Sequence, residues 1–347
     1  MPDKAYKVQA LEDRTKMKIG VIGAGAWGTA FSMHLARKGF KVLLWVFETE
    51  LYEILKKERI NKYYLEDFSL PEQINFTDNL SELADFSNDI VVATPSFALK
   101  ETIEKISCPL LNKNILLLTK GFETETLLRM SEVVEKCLGK RNVRIATLSG
   151  PSFAKEVAQG AFTSVVVASK RSDLSSYFQK HMHDDNFRIY TSKDVIGVEL
   201  GGAMKNVMAI GAGIIEGLAL GTNTQAAFTT RALAEIKRLG KALGAKETTF
   251  MGLSGIGDLM LTSYGQLSRN RMFGMELSKG KRPEDIIKSH NTVVEGYYTI
   301  KAAYRFSKTL DIEMPITEEL HKVIFEGKNL QTSLKDIKNR ALKEEDV

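Results

Sequence analysis

The stretch Lys18-Ile-Gly-Val-Ile-Gly23-Ala-Gly25-Ala26-Trp27-Gly28 decides the fold of this chain, because an apolar run passes directly into the spacing G-x-G-x-x-G. Residues 29–38 then read as a helix, with Phe31, Leu35 and the small Ala30 and Ala36 set among polar partners. A second apolar run, Val42-Leu43-Leu44-Trp45-Val46, follows, and Glu48 stands 20 residues after Gly28. Glycine clusters alone are a weak signal, since ordinary βα turns collect them. Strand, glycines, helix, strand and acid in that order point to a dinucleotide site. Gly23 permits the tight turn, Gly25 lets the backbone approach a pyrophosphate, and Gly28 lets the helix pack close to the sheet. Unpaired N–H groups at the helix start would face the phosphates.

Composition narrows the class. A chain of 347 residues, 44% hydrophobic and 26% charged, has room for two globular domains with a sizeable core. The net charge of +5 suits small anionic substrates and gives no reason to expect nucleic-acid binding. The two cysteines, Cys108 and Cys137, stand in no metal or redox spacing and read as free buried thiols in a reducing compartment. No membrane span is expected, since the apolar segment Val207–Leu220 is short, glycine-rich and broken by Glu216. Residues 1–16 lack an apolar targeting core and read as a flexible extension, with the cytoplasm as the default compartment.

Further apolar runs at 74–77, Asp89–Thr94, Asn114–Thr119, 143–148, Thr163–Ala168 and 187–191 predict more strands. Continuous runs of this kind suit a parallel sheet covered on both faces. From Asp194 onward the patterning is helical, with Asp194–Leu218, Thr224–Leu243 and shorter helices to Asn339. The expected architecture is α/β: a Rossmann-like, doubly wound domain over 17–193, an all-helical domain over 194–340, and a tail over 341–347. The active site is expected in the cleft between the domains.

Three loops follow strand ends, where open α/β sheets bind ligands. They carry Pro95-Ser96-Phe97, Lys120-Gly121 and Ser149-Gly150-Pro151-Ser152-Phe153-Ala154. In the helical half, Glu199-Leu-Gly201-Gly202-Ala-Met-Lys205-Asn206 sets two adjacent glycines one turn before a Lys-Asn pair. A glycine inside a helix costs about 1 kcal/mol against alanine, which calls for a reason such as close approach of a ligand or another backbone. The apolar flanks predict burial of Lys205, and burial lowers a lysine's pKa toward the range useful for proton transfer. Asp258 could orient that lysine, and Arg269 with Asn270, after Ser268, could grip a phosphate. Gly211, Gly213 and Gly217 read as helix-packing glycines. His181-Met-His183-Asp184-Asp185 reads as a solvated stretch and not a metal site; no metal is expected.

Together these segments closely resemble the NAD(P)-dependent glycerol-3-phosphate dehydrogenases, from about Lys18 to Gly327. The matching motifs also include Thr119-Lys120-Gly121-Phe-Glu, Gly255-Ile-Gly257-Asp258, Ser268-Arg269-Asn270-Arg271 and Val293-Val-Glu295-Gly296. The resemblance implies a helical domain like that of 6-phosphogluconate dehydrogenase. It also implies interconversion of dihydroxyacetone phosphate and sn-glycerol 3-phosphate, supplying phospholipid synthesis, with Lys205 as proton donor and acceptor. Lys120 would contact cofactor and substrate, and Asp258, Asn206 and Thr262 would complete the polar site. Ser268, Arg269 and Asn270 would hold the substrate phosphate or cofactor. Gly150, Ser152 and Ala154 would line the nicotinamide region beside Pro95 and Phe97, and Val293 and Glu295 would close on the cofactor. A homodimer follows from the same analogy.

At the cofactor's adenosine end the chain departs from many bacterial relatives, which carry Arg or His after the second strand. Here Phe47 could pack on the adenine, and Glu48 would repel a 2′-phosphate or accept from a ribose hydroxyl, favouring NAD over NADP. Two alternatives remain: a 3-hydroxyacid or hydroxyacyl dehydrogenase of the same architecture, and a non-catalytic NAD-binding sensor.

Overall fold

The computed structural model describes residues 17–106, 110, 112–139, 144–289, 293–342 and 344–345. The extension 1–16 and Cys108 lie outside the described residues. The chain divides into two compact units. The first is 1–119, 130–148 and 152–195; the second is 120–129, 149–151 and 196–347.

Unit 1 is built on an eight-stranded sheet. Its strands are β1 (Lys18–Ile22), β2 (Lys41–Trp45), β5 (Ile74–Thr77), β6 (Asp89–Val92), β7 (Asn114–Leu117), β8 (Arg144–Ser149), β9 (Thr163–Ala168) and β10 (Phe187–Ser192). They lie in the order β10-β9-β8-β7-β6-β1-β2-β5. β1 pairs in parallel with both β2 and β6, so that Ile22 stands beside Trp45 and Val92. The chain winds outward from β1 through β2 to β5, then returns to β1's other side at β6. That reversal opens a crevice beyond the strand ends, where doubly wound sheets take ligands. Helices α1 (Ala26–Arg37), α2 (Thr49–Glu58), α3 (Leu80–Phe86), α4 (Ser96–Ile106), α5 (Met130–Leu138), α6 (Ala154–Gln159) and α7 (Ser172–Met182) connect the strands. β1 buries Ile19 to Ile22, as a strand covered on both sides must.

Some boundaries differ from the sequence reading. β6 ends at Val92 and β7 at Leu117, each two residues early. Thr94 and Thr119 leave the ladder and meet each other, the Thr119 hydroxyl donating to the Thr94 carbonyl at 2.8 Å. α1 starts at Ala26, so Gly28 belongs to its first turn. An antiparallel pair, β3 (Ile60–Asn61) and β4 (Leu65–Ser69), escaped notice because Leu65-Glu-Asp-Phe-Ser has no continuous apolar run. Cys137 is free but only half-buried, which corrects the expectation of a buried thiol.

Unit 2 is helical. It contains α8 (Val195–Gly217), α9 (Thr222–Ala242), α10 (Glu247–Phe250), a π-helical turn (Leu253–Gly257), α11 (Asp258–Tyr264) and α12 (Arg269–Ser278), followed by α13 (Pro283–Ser289), α14 (Glu295–Thr309), α15 (Pro315–Phe325) and α16 (Leu330–Lys338). α8 is its core: Val198, Leu200, Met204, Val207, Met208 and Ile210 have no accessible surface. By length and apolarity this 23-residue helix could cross a membrane, contrary to the shorter segment read from the sequence. Its apolar window is wholly buried inside the protein, so the apolarity serves a core. Its glycines allow close packing. A Cβ on Gly213 would lie 2.0 Å from the Arg271 carbonyl oxygen.

Candidate active site

In unit 1 the glycine turn meets the crevice. Gly23 adopts φ +110°, a left-handed conformation that other residues rarely take, and a Cβ there would lie 2.9 Å from the Ala93 carbonyl oxygen. A Cβ on Gly28 would lie 1.9 Å from the Gly23 carbonyl oxygen, so only glycine lets α1 start this close to the turn. Gly25 differs: its missing Cβ would project into open space, and it forms the helix N-cap without a side chain. That is the concave surface a pyrophosphate needs, with the N–H groups of Ala26 and Trp27 at the positive end of α1. Two buried polar atoms on these elements, Trp27 Nε1 and Thr94 Oγ1, have no hydrogen-bond partner. Unpaired buried groups call for an explanation, and a bound polar ligand supplies one. The residues present therefore fit a dinucleotide.

Beyond β2, Phe47 is 71% exposed, its ring centroid 5.9 Å from that of Trp45. Glu48 accepts a hydrogen bond from the Tyr64 hydroxyl at 2.6 Å. Tyr64 lies between β3 and β4, so the overlooked hairpin holds the acid. Pro95 is half-buried, Phe97 is 57% exposed, and Ser152 and Ala154 are half-buried.

Unit 2 holds a buried ionic cluster. Asp258 has no accessible surface and receives two ammonium groups, Lys205 Nζ on Oδ1 at 2.6 Å and Lys120 Nζ on Oδ2 at 2.7 Å. Lys205 also donates to the Thr262 hydroxyl at 2.8 Å, which in turn donates to the Asp258 carbonyl oxygen at 2.7 Å. Burial pushes the Lys205 ammonium down to about 8; Asp258 opposes that fall and the neighbouring Lys120 charge adds to it. Burial works to raise the Asp258 carboxyl, but the two lysines outweigh it and hold the group below the ordinary aspartate value. An ammonium has three donors, and Asp258 and Thr262 take two of those on Lys205, leaving one for a substrate oxygen.

The adjacent glycines of α8 build this cluster. A Cβ on Gly201 would lie 2.1 Å from the Ser254 carbonyl oxygen, so this glycine admits the π-helical turn that leads into Asp258. A Cβ on Gly202 would lie 2.6 Å from Ser149 Oγ, so this one makes room for the Ser149 hydroxyl, while the Lys120 stem passes the same point at ordinary contact distance. Both glycines answer to close approach by other parts of the protein, and the approach at Gly201 leads into Asp258, which accepts from Lys205. The turn before Asp258 contains a kink, with Gly255 at φ −101° and ψ −106°, outside the helical region.

The other expected residues fall into several groups. Asn206 accepts from the Asn270 amide at 3.0 Å, and Asn270 accepts from the Gly296 N–H at 2.8 Å, so α8, α12 and α14 meet there. Ser268 is the N-cap of α12, accepting from the Arg271 N–H, which gives it a structural task. Arg269 is exposed on the first turn of α12, whereas Arg271 is buried and paired with Glu216. Gly150 is buried, and Val293 and Glu295 are half-buried at the start of α14. Sequence reasoning passed over Ser149, whose buried hydroxyl has no partner, and the buried Arg129–Glu199 pair at 2.6 Å. Ser149 stood inside a quoted motif, so its signal was available; the pair, 70 residues apart, left none.

Residues 18–175 match the family described as NAD-dependent glycerol-3-phosphate dehydrogenase N-terminus, and 194–335 match the corresponding C-terminus. The chain belongs to the NAD-dependent glycerol-3-phosphate dehydrogenase family. A glycerol-3-phosphate dehydrogenase (NAD(P)+) of a Thermoanaerobacter species is 46% identical over 331 residues, covering 95% of this chain and 99% of the relative. Its counterpart in Geobacter sulfurreducens is 42% identical, covering 94% and 98%. Among solved structures, glycerol-3-phosphate dehydrogenase from Coxiella burnetii superimposes with a TM-score of 0.90 at 37% identity, covering 94% of this chain and all of that one.

His183 and Asp185 of the His181–Asp185 stretch are exposed, but Asp184 accepts from the Asn186 and Phe187 N–H groups and lies 3.4 Å from His34 Nδ1. Asp184 is half-buried and closes the turn into β10.

Proposed function

We propose that this protein interconverts dihydroxyacetone phosphate and sn-glycerol 3-phosphate. NAD(P), when bound, supplies the hydride to the substrate carbon or accepts it. Lys205 holds its remaining N–H for the substrate oxygen, stabilises the negative charge that grows there during reduction, and delivers the proton. In oxidation the neutral amine takes that proton back. Asp258 keeps Lys205 and Lys120 together in a dry setting, and Thr262 fixes the direction of the Lys205 donor. Lys120, next to the same carboxylate, adds positive charge for a phosphorylated substrate. Arg269 and the Asn206 amide are the groups we assign to the substrate phosphate and hydroxyls.

For the cofactor we infer NAD in preference to NADP, because Glu48 is an acceptor held by Tyr64 where a 2′-phosphate would need a cation. A cytoplasmic homodimer supplying glycerol 3-phosphate to phospholipid synthesis completes the reading, on the strength of the family resemblance. The observation that carries the proposal is the lysine pair on one buried carboxylate, with a donor of Lys205 left over.

The test follows NADH consumption with dihydroxyacetone phosphate, in the wild type and in Lys205→Ala. Wild-type turnover, with Lys205→Ala binding NADH normally and losing at least a hundredfold in kcat, is expected from the loss of a general acid. Near-normal kcat in that variant would sink the assignment.

A further inference from the structure

Lys120 reaches Asp258 from a segment of its own. Residues 120–129 fold back on themselves: Phe122 bridges Arg129 in antiparallel fashion, and the Glu123 N–H donates to the Leu128 carbonyl at 2.9 Å. Phe122 plugs this hairpin into the core of unit 2, 2% exposed, with its ring centroid 5.2 Å from that of Phe306. Arg305 of α14 donates to the Thr124 and Glu125 carbonyl oxygens at its tip. At the hairpin's far end Arg129 Nη1 donates to Glu199 Oε2 at 2.6 Å, and both residues are buried, at 8% and 7% exposure.

Glu199 stands on α8 with Lys205. Six residues of α-helix separate them, about 9 Å along the axis and about 120° around it. Gly202 is midway on both measures, and across Gly202 runs the Lys120 stem. The hairpin therefore grips α8 at two points, through Arg129 on Glu199 and through Lys120 over Gly202. Lys205 follows less than one turn further on.

We propose that Arg129 and Glu199 are a positioning pair, which fixes the hairpin of Lys120 to the helix of Lys205 and thereby sets how closely the two cations share Asp258. A buried charge pair is a directional constraint that an apolar contact does not reproduce, since charge-assisted hydrogen bonds hold their two groups at a set distance and angle. The pair ties the Lys120 hairpin to α8. It acts through the place it gives to Lys120, and so through the field at Lys205. The inference rests on the dehydrogenase reading for its kinetic test but not for its electrostatic one.

The experiment uses the full chain with Glu199→Asp and Arg129→Lys, which keep both charges and change their reach, together with Glu199→Gln. NADH affinity, melting temperature, kcat, KM and the pH dependence of kcat/KM are measured for dihydroxyacetone phosphate reduction. Separately, the pH midpoint of Lys205 acetylation is read by mass spectrometry. The expected result for the charge-conserving variants is a kcat lowered by about tenfold, with NADH affinity within twofold, and displaced pH midpoints in both measurements. If Glu199→Gln does not fold, those two variants carry the test alone. A lower melting temperature with unchanged kcat and midpoints would reduce the pair to a structural brace and overturn the proposal. A wild type inert toward dihydroxyacetone phosphate would refute the functional reading instead. The Lys205 labelling midpoint would then still decide for or against the pair.

Discussion

Replacing Gly201 by alanine should harm catalysis far more than stability. In an ordinary helix interior this change gains about 1 kcal/mol, because glycine loses the most backbone freedom on folding. Here the added methyl would stand 2.1 Å from the Ser254 carbonyl oxygen, and that backbone must retreat by about 1.3 Å to reach the 3.4 Å of ordinary contact. Overpacking of this kind costs about 1–3 kcal/mol, so the two effects partly cancel and the net loss of stability is expected at roughly 0–2 kcal/mol. The site has no such compensation. Ser254 belongs to the π-helical turn that ends against Asp258, so a retreat of that turn carries the carboxylate away from Lys205 and Lys120. Misplacing a catalytic group by about 1 Å can cost about a hundredfold in rate. Thermal unfolding and steady-state reduction of dihydroxyacetone phosphate should therefore give a shift of a few degrees beside a kcat lowered by about two orders of magnitude, with NADH affinity unchanged because the glycine turn lies in unit 1. A kcat within threefold of wild type would refute the argument that Gly201 exists to admit the turn bearing Asp258.

The pH profile offers a second check. With Lys205 in its proposed role of proton donor, kcat/KM for the ketone should fall as pH rises through about 8, while kcat/KM for the alcohol should rise through the same point. Glu48→Ser should raise the NADPH to NADH ratio of kcat/KM by roughly tenfold, the worth of about 1.4 kcal/mol; an unchanged ratio would remove Glu48 from cofactor selection. Glu235 gives a stability prediction away from the site. Burial pushes its carboxyl from the ordinary 4.5 up to about 7, outweighing hydrogen bonds from the Ile316 and Thr317 N–H groups and the Thr317 hydroxyl. The folded state then binds the proton more tightly, so this group's contribution is fully present below pH 4.5 and is lost as pH rises through about 7. The loss is on the order of 3 kcal/mol. Denaturant unfolding of Glu235→Gln should show a flatter dependence over that window; an identical dependence would discount the buried acid.

Legibility in the sequence followed the range of the forces involved. The central strands could be read because each is one short apolar run, and the first turn because Gly23 and Gly28 satisfy constraints set within a few residues of themselves. Lys205 was visible as a cation flanked by apolar neighbours, and the adjacent glycines flagged that something must approach. What approaches was not visible. Ser254 and Ser149 each come from segments about 50 residues away, and a local pattern carries no trace of which distant group fills a notch. The same limit hid Tyr64 behind Glu48, and Arg129 on Glu199. Two glycines side by side in a buried helix thus state a demand in the sequence, and only the fold names what meets it. At Gly201 that is the turn delivering a carboxylate, and at Gly202 the hydroxyl of Ser149. The notch at Gly201 admits the turn that brings Asp258 to Lys205, so a residue that weakens the helix locally is what lets the distant carboxylate reach the ammonium group.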